Sequence, residues 1–227
     1  PDDLYKDLEK NFPHKKIKEN LPCIQGHTYR YLANDVLFLK TIPVSDSWTD
    51  FFKNHTSQKF YNKVLSIFDK DIPYSKSTFE KNISVRGNAG SEYDIVTDTQ
   101  FVVHTPTSGT TRTTHLDNPQ ELYAGLLYFK QINDKSTGGD FEIYETENVT
   151  QVFKSRGREV PEEQNKKLIR TVKYKPNTFV MFLNTNKSVH GVTPRQDPIL
   201  DRLSVNIIAE TNNKRKQFFQ LFDTATL

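Results

Sequence analysis

The pattern of hydrophobic and polar positions changes near residue 83. Before that point, apolar residues recur at helical spacing after two polar positions that suit a helix N-cap, the first at Ser45 or Asp46 and the second at Ser57. This spacing predicts two helices. Their apolar positions are Trp48, Phe51 and Phe52 in the first, and Phe60, Val64, Ile67 and Phe68 in the second.

Two further segments of the N-terminal part carry a weaker pattern. The residues from Leu4 to Phe12 are expected to form one short helix. The continuous apolar run from Val36 to Ile42, which ends at Pro43, favours a β-strand.

From about Ile83 onward, short β-rich runs alternate with clusters of turn residues. Such a pattern is typical of a sandwich or barrel of antiparallel strands, so we predict a mainly β fold with N-terminal helices (α+β). The predicted strands are Tyr93 to His104, Leu122 to Ile132, Leu168 to Lys175, Thr178 to Leu183 and Leu203 to Ala209.

The length of 227 residues fits a single domain with a sizeable core. Within it we expect a helical and strand buttress over 1–80, a β core over 83–210 and a C-terminal extension over 211–227. The sequence contains no internal repeat and no low-complexity linker.

Composition narrows the setting of the protein. A net charge of +3 on mixed signs does not demand a nucleic-acid partner. The basic, aromatic stretch from Lys214 to Phe219 is interpreted as a solvated charge run followed by a packing patch. One cysteine, Cys23, excludes an internal disulfide framework and suits a reducing compartment. Without a membrane-span pattern or a signal-peptide pattern, we expect a cytoplasmic protein with no membrane partner.

Three residues carry the chemistry that the sequence predicts. His115 and Asp117, one residue apart, point to the same face of an extended strand, and His190 follows the strand-like run that begins at Thr178. Two imidazoles and one carboxylate can occupy one face of an octahedral metal and leave three positions open, as in non-haem Fe(II) oxygenases. His-x-Asp alone is also compatible with an ordinary strand-end histidine, so the prediction depends on the whole set.

Arg202 adds a cation to this set. It begins the apolar run that includes Leu203, and its planar guanidinium matches a carboxylate. Gly138 and Gly139 are interpreted as turn residues, because no helix start follows them as phosphate binding would require.

The stretch from His115 to Ser204 resembles the Fe(II)/2-oxoglutarate-dependent dioxygenase superfamily, and most closely its prolyl 4-hydroxylase-like branch. The resemblance covers somewhat less than half the chain, and the motifs occur in the complete order. The resembling segments are His115–Pro119, Leu126–Phe129, Ser136–Gly139, Phe141–Tyr144, Phe179–Asn184, Val189–Pro194 and Arg202–Ser204.

The resemblance implies a double-stranded β-helix core, of the jelly-roll or cupin-like kind. It also implies Fe(II), 2-oxoglutarate and O₂ as cofactors, with ascorbate as a candidate reductant. The expected reaction is oxidative decarboxylation of 2-oxoglutarate to succinate and CO₂, coupled to hydroxylation of a C–H bond. Asp117 favours hydroxylation over halogenation, because related halogenases have a small residue in place of this carboxylate.

The resemblance also assigns further roles within the site. The metal ligands are His115, Asp117 and His190, and Arg202 binds the 5-carboxylate of 2-oxoglutarate. Tyr128 either contacts the co-substrate or is a core tyrosine. Ser204 shares a strand face with Arg202, so we expect it to add a hydrogen bond to the same carboxylate of 2-oxoglutarate. Candidates for the substrate side or the pocket rim are Arg112, Arg195 and Asn184, of which Arg195 is a rival carboxylate-binding cation and Asn184 could instead cap a loop.

Three functions remain open on the sequence. The first is hydroxylation of a peptidyl residue, prolyl by resemblance, or of a small molecule. The second, a nucleobase demethylase of the same superfamily, is disfavoured because no second arginine follows Arg202 closely. The third is a cupin-like non-oxygenase, either a metal-dependent isomerase or a binding module. Neither the substrate nor the oligomeric state can be inferred from the sequence.

Overall fold

The computed structural model describes residues 2–72, 81–90, 92–106, 112–146, 160, 166–185 and 187–212. Within these ranges, the helices are α1 (Asp2–Lys10), α2 (His14–Asn20), α3 (Asp46–His55) and α4 (Gln58–Ile67), with a π-helical segment at Asp35–Leu39. The strands are β1 (Thr28–Leu32), β2 (Ile83–Val85), β3 (Ile95–His104), β4 (Glu121–Tyr128), β5 (Phe141–Thr146), β6 (Lys166–Val172), β7 (Thr178–Leu183), β8 (His190–Val192) and β9 (Arg202–Thr211).

These strands form two sheets. In the larger sheet the antiparallel order is β1-β3-β9-β4-β7, and β2 joins β3 in parallel. In the smaller sheet, β5 lies between β6 and β8, again antiparallel. The chain is therefore mainly β with N-terminal helices, as the sequence predicted.

The larger sheet has two distinct faces because side chains alternate along each strand. On β9, Leu203 and Val205 belong to the cluster that packs against the helices, where Trp48 lies 4.5 Å from Phe101 between ring centroids. The alternate residues, which include Arg202, point the other way. We call this second face, turned toward the smaller sheet, the inner face.

Aromatic rings fill part of the space between the sheets. Phe141 on β5 lies 5.6 Å from Phe182 on β7, and Tyr128 lies 5.3 Å from Tyr174, which follows β6. These residues form a second apolar cluster, separate from the cluster under the helices. The two sheets therefore enclose an interior that polar side chains of the inner face can reach.

Both predicted helix caps are confirmed. The Ser45 hydroxyl accepts a hydrogen bond from the Trp48 backbone amide, and the Ser57 hydroxyl accepts one from that of Phe60. The predicted apolar stripe of the second helix is wrong at one end. Ile67 is 61% exposed, and Leu65 is buried instead, because the helix presents its Tyr61-Val64-Leu65 edge to the core.

The segment from Val36 to Ile42 is not the predicted strand. Its first residues form the π-helical turn, with Val36 buried and Leu39 61% exposed. The hydroxyl of Tyr31 bonds both the amide and the carbonyl of Ile42 and so fixes the end of the turn. A short continuous apolar run does not distinguish a strand from a buried helical turn by periodicity.

The other predicted elements differ mainly in their limits. The run from Thr178 to Leu183 coincides with β7, whereas the run from Leu122 stops at Tyr128 rather than at Ile132. The short helix predicted from Leu4 to Phe12 corresponds to α1, with limits shifted by two residues, and α2 is an additional helix that was not predicted. The stretch from Lys214 to Phe219 lies outside the described residues. Among the described helices, none has the length and apolar character needed to cross a membrane.

Candidate metal centre and co-substrate pocket

Backbone pairing brings the two predicted histidine ligands together. The amide of His115 donates to the carbonyl of His190 at 2.7 Å, and the amide of His190 donates back at 3.0 Å. This bridge sets the imidazole centroids 4.3 Å apart. Asp117 lies 3.5 Å from His115 (Oδ1 to Nε2) and 3.4 Å from His190 (Oδ2 to Nε2). The potential ligand atoms of the three residues all lie within 4.8 Å of one another.

The same local hydrogen bond fixes the tautomer of each imidazole. Nδ1 of His115 lies 2.7 Å from the Thr113 carbonyl, and Nδ1 of His190 lies 2.7 Å from the Ser188 carbonyl. Because a carbonyl can only accept, each neutral ring carries its proton on Nδ1. Each Nε2 therefore presents a lone pair toward Asp117, as metal ligation requires.

Burial supports the charge states that a cation site needs. Burial, together with the nearby charge of His190, lowers the pKa of His115 to about 4. Burial also opposes ionisation of Asp117, but the electrostatic influence of His190 and His115 outweighs it, so the pKa of Asp117 lies well below its usual range. The separations of about 3.5 Å are long for hydrogen bonds. A neutral imidazole and a carboxylate that face each other in this way fit a divalent metal.

Aromatic rings pack against this centre. The ring of His190 lies 5.2 Å from that of Phe141 and 4.7 Å from that of Phe182. Both histidines are only 5% exposed. The rings therefore limit both the movement of the ligands and the access of water to one side of the centre.

The predicted cation Arg202 lies on the inner face and is buried. The central carbon of its guanidinium lies 4.9 Å from the ring centroids of both Tyr128 and Tyr174. Tyr128 is the last residue of β4, and Tyr174 follows the end of β6. Nε and Nη2 donate to the carbonyl of Gly139 at 3.3 and 3.2 Å. Two aromatic faces and one carbonyl thus hold the guanidinium in a single orientation.

Two hydroxyls beside Arg202 are buried without a protein partner. Tyr128 and Ser204 are register partners on β4 and β9. No side chain or backbone group in the described ranges bonds the hydroxyl of either residue. Burial raises the pKa of Tyr128, although the charge of Arg202 opposes this, so the phenol keeps its proton. Two unused donors next to a fixed guanidinium fit a carboxylate such as the far end of 2-oxoglutarate.

Gly138 and Gly139 take the turn role that the sequence predicted. Their φ angles are +75° and +72°, a region that side chains disfavour, and a Cβ on Gly138 would collide with the carbonyl of Pro194. The turn presents the Gly139 carbonyl to Arg202.

Arg195 and Asn184 do not lie at the pocket rim. Arg195 is 2% exposed and pairs with the buried Asp134 at 3.2 Å, with further bonds to Ser136 and Leu200. This buried ion pair uses Nη2 of Arg195, whereas its Nε and Nη1 have no hydrogen-bond partner among the described residues. Asn184 donates from Nδ2 to the carbonyls of two residues that follow the metal motif, Asn118 and Glu121, and so holds that loop.

Arg112, the third rim candidate, lies close to the metal centre. Its carbonyl accepts from the Val192 amide, and its charge lowers the pKa of His115. Two inner-face residues that the sequence reasoning overlooked are Arg30 on β1 and Gln100 on β3, joined by a 2.6 Å hydrogen bond. The alternation of tyrosine and polar residues from Thr28 to Leu32 could have indicated a strand with Arg30 on one face.

The 2OG-Fe(II) oxygenase superfamily provides the family model that matches this chain, over residues 97–209. The chain is also similar to several solved structures. A Pseudomonas putida prolyl-4-hydroxylase is 12% identical, with coverage of 92% of this chain and 87% of that chain at a TM-score of 0.49. A putative oxygenase from Shewanella oneidensis is 10% identical, with coverage of 100% and 86% at a TM-score of 0.49.

Prolyl 4-hydroxylase from Phytophthora capsici is 15% identical, with coverage of 92% of this chain and 55% of that chain at a TM-score of 0.48. No curated protein matches the chain significantly.

The family match spans the strands from β3 to β9 that carry the metal centre and Arg202. The predicted double-stranded β-helix is thereby confirmed.

Proposed function

Because this chain belongs to the 2OG-Fe(II) oxygenase superfamily, we propose that it is a hydroxylase that uses Fe(II), 2-oxoglutarate and O₂. It inserts oxygen into a C–H bond of a peptidyl residue, prolyl by resemblance, or of a small molecule, and releases succinate and CO₂. Fe(II), 2-oxoglutarate and O₂ are the cofactors of the superfamily, and the residues of this chain fit them.

The proposal depends mainly on one observation: the candidate metal centre and the pocket around Arg202 both open to the interior between the two sheets. His115, Asp117 and His190 gather three lone pairs within 4.8 Å. Arg202, fixed between two tyrosines, lies on the inner face of the same β-helix with unused hydroxyls beside it. A metal chelated by one end of a dicarboxylate and a cation for the other end are what 2-oxoglutarate needs.

Different residues of the chain would bind the iron and the co-substrate. Nε2 of both histidines and the Asp117 carboxylate would hold the iron, and the Nδ1 bonds to backbone carbonyls keep each ring in place. Arg202 would bind the 5-carboxylate, with hydrogen bonds from Tyr128 and Ser204. When bound, the iron and 2-oxoglutarate supply the oxidising chemistry.

Asp117 also supports hydroxylation as the outcome. Its carboxylate faces both imidazoles, so one metal position is taken by a protein ligand. Halogenation needs that position for a halide. The position of this carboxylate therefore favours transfer of hydroxyl to the substrate.

The competing functions have less support. A nucleobase demethylase would need a second arginine soon after Arg202, and the inner-face positions that follow it are Ser204, Asn206 and Ile208. A cupin-like isomerase or binding module would give no reason for the fixed Arg202 beside two unused hydroxyls. We propose a peptide or small-molecule substrate rather than nucleic acid, in a reducing cytoplasmic compartment that suits the exposed thiol of Cys23.

Anaerobic addition of Fe(II) and 2-oxoglutarate tests the proposal. The wild-type protein should give a weak visible charge-transfer band, and His190→Ala should abolish it. His14→Ala, which removes a histidine of α2 outside the site, should leave the band unchanged. A band that survives His190→Ala, or no band in the wild type, would contradict the proposed function.

A further inference from the structure

Arg30 is a second cation on the inner face, far along the chain from Arg202. On β1 it lies opposite Val102 of β3, whereas its neighbours Tyr29 and Tyr31 turn toward the helical core. Alternation along the strand therefore directs Arg30 into the interior. Its side chain is only partly buried, in contrast to the fully buried Arg202.

A chain of hydrogen bonds, which becomes fully buried beyond Gln100, holds the guanidinium of Arg30. Nη1 donates to Oε1 of Gln100 at 2.6 Å, and Nε2 of Gln100 donates to Oδ2 of Asp98 at 2.7 Å. Asp98 in turn accepts from the Ala33 amide at 3.1 Å and pairs with Arg86 at 3.2 Å. Because the amide nitrogen of Gln100 is committed to Asp98, its carbonyl must face Arg30. The cation is thus set in place before any ligand binds.

The carboxylates of this network form ion pairs with Arg86 and not with the guanidinium of Arg30. Arg86 contacts Asp98 and also Glu210, the latter at 2.7 Å. Among the described residues, no carboxylate forms an ion pair with Arg30, and Gln100 accepts only one of its five N–H donors. A partly exposed arginine with spare donors on an interior face can bind an anion that enters the cleft.

Arg30 lies in the same cross-strand row as residues of the co-substrate pocket. Its partner on β3, Val102, is opposite Ser204 on β9, and Ser204 is opposite Tyr128 on β4. A group bound at Arg30 therefore faces the same interior as the co-substrate pocket. Arg202 is assigned to the 5-carboxylate of 2-oxoglutarate under the proposed function, which leaves Arg30 available for a different ligand.

We propose that Arg30 binds a carboxylate of the substrate and positions the neighbouring C–H bond at the iron. The substrate class is therefore a carboxylic acid, either a small acid or a peptide that presents a carboxylate close to the oxidised carbon. This inference rests on the proposed function and makes it more specific. Gln100 acts as a positioning residue for Arg30.

A panel of matched acids and amides tests the substrate class. The panel holds amino acids, N-acetyl amino acids, small hydroxy acids and short peptides ending in proline, each as the acid and as its primary amide. The measurement is succinate formation above the substrate-free rate. We expect at least one acid to exceed its amide by about 10- to 100-fold in kcat/KM, the effect of losing a charged hydrogen bond. The small-acid and peptide members identify the source of the carboxylate.

Variants connect this preference to Arg30. Arg30→Gln should lower kcat/KM for the preferred acid to near the value for its amide, mainly through KM. Arg30→Lys should restore part of the preference because it keeps the charge and loses the planar fork. Arg170→Gln, which removes an exposed arginine on β6, should behave like the wild type.

Two results would overturn the inference. One is found in protein that gives the anaerobic iron band: either acids and amides stimulate succinate formation equally, or no acid stimulates it. The other is an acid preference that persists in Arg30→Gln. Both differ from failure of the proposed function, in which the wild-type protein gives no band in the first place.

Discussion

At the level of single residues, His115 and His190 repeat one local arrangement, in which Nδ1 bonds the carbonyl two positions earlier in the chain. A bridge of paired backbone amides then aligns the two residues. The site therefore depends on local backbone geometry as much as on the choice of side chains. Replacement by another metal-binding side chain would lose this orientation.

Tyr128 is a residue for which a packing role and a binding role predict different results. Its ring packs between the sheets, and its buried hydroxyl has no protein partner. Tyr128→Phe should leave the free energy of unfolding unchanged or slightly higher, because a buried unsatisfied group is removed. The dissociation constant for 2-oxoglutarate should rise by about 5- to 20-fold, equivalent to roughly 1–2 kcal/mol. Chemical denaturation and titration of the iron band measure the two quantities, and an unchanged dissociation constant would leave Tyr128 with packing alone.

Arg202→Lys tests the co-substrate cation. Lysine keeps the charge, but loses the planar fork and its contact with two aromatic faces. We expect the KM for 2-oxoglutarate to rise by about 10- to 100-fold, while the affinity for Fe(II) in the absence of 2-oxoglutarate stays the same. Steady-state kinetics and anaerobic metal titration provide the two values. A large loss of Fe(II) affinity would show that Arg202 supports the metal centre instead.

Site residues were predictable from the sequence where their types and spacing form a known metal-ligand motif. They were not predictable where the role of a residue depends on a partner that is distant in the chain. His115, Asp117 and His190 could be chosen because their side chains form a recognisable ligand set, and the structure brings them together. Arg195 has the charge expected of a carboxylate-binding residue. Its buried partner Asp134, however, is 61 positions earlier in the chain and could not be inferred from the sequence. Arg30 was overlooked because its role depends on the pairing of β1 with β3.

At the level of elements, the turn at Gly138 and Gly139 connects the fold to the pocket. Gly138→Ala should destabilise the protein by about 2–4 kcal/mol, because the alanine would need a positive φ and its Cβ would meet the Pro194 carbonyl. The same change should raise the KM for 2-oxoglutarate, since Gly139 holds Arg202. Thermal and denaturant unfolding measure the first effect, and steady-state kinetics measure the second.

Gly26→Ala is the matched control for this prediction. Gly26 has a similar φ of +74°, but a Cβ there would contact nothing within 4 Å. It should cost only the backbone strain, about 1 kcal/mol. Equal losses of stability in the two variants would mean that the collision with Pro194 contributes nothing.

The elements themselves were predictable where a pattern was long and capped. Both serine-capped helices and β7 were found, because N-caps and β-rich runs are local signals. The Val36 to Ile42 run was misassigned because Tyr31, a residue of another element, fixes its end. β8 has three residues, too few for any periodicity, and exists because it pairs with β5.

At the level of the whole molecule, buried neutral histidines predict a dependence of stability on pH. Burial lowers the pKa values of His104 and His115 in the folded protein, from 6.5 to about 4 for His115 and well below 6.5 for His104. The unfolded chain therefore binds more protons below pH 6.5, and folding stability is present above that pH and is lost as the pH falls. In metal-free protein, each such histidine should cost about 1.4 kcal/mol between pH 7.5 and pH 5.5.

His104→Gln isolates one of these contributions. The variant should lose about 1.4 kcal/mol less stability than the wild type over the same pH interval. Urea unfolding of metal-free protein at the two pH values provides the comparison. Identical pH dependence in the variant and the wild type would contradict a buried neutral His104.

The central claim is that His115, Asp117 and His190 hold one iron while Arg202 binds the far end of 2-oxoglutarate. A crystal structure of the anaerobic Fe(II) and 2-oxoglutarate complex, with anomalous scattering at the iron edge, tests it most directly. We predict a single iron peak bonded to Nε2 of both imidazoles and to the Asp117 carboxylate, with the 5-carboxylate of 2-oxoglutarate on Arg202, Tyr128 and Ser204. An iron peak away from these three ligands, or a co-substrate carboxylate without contact to Arg202, would contradict the account.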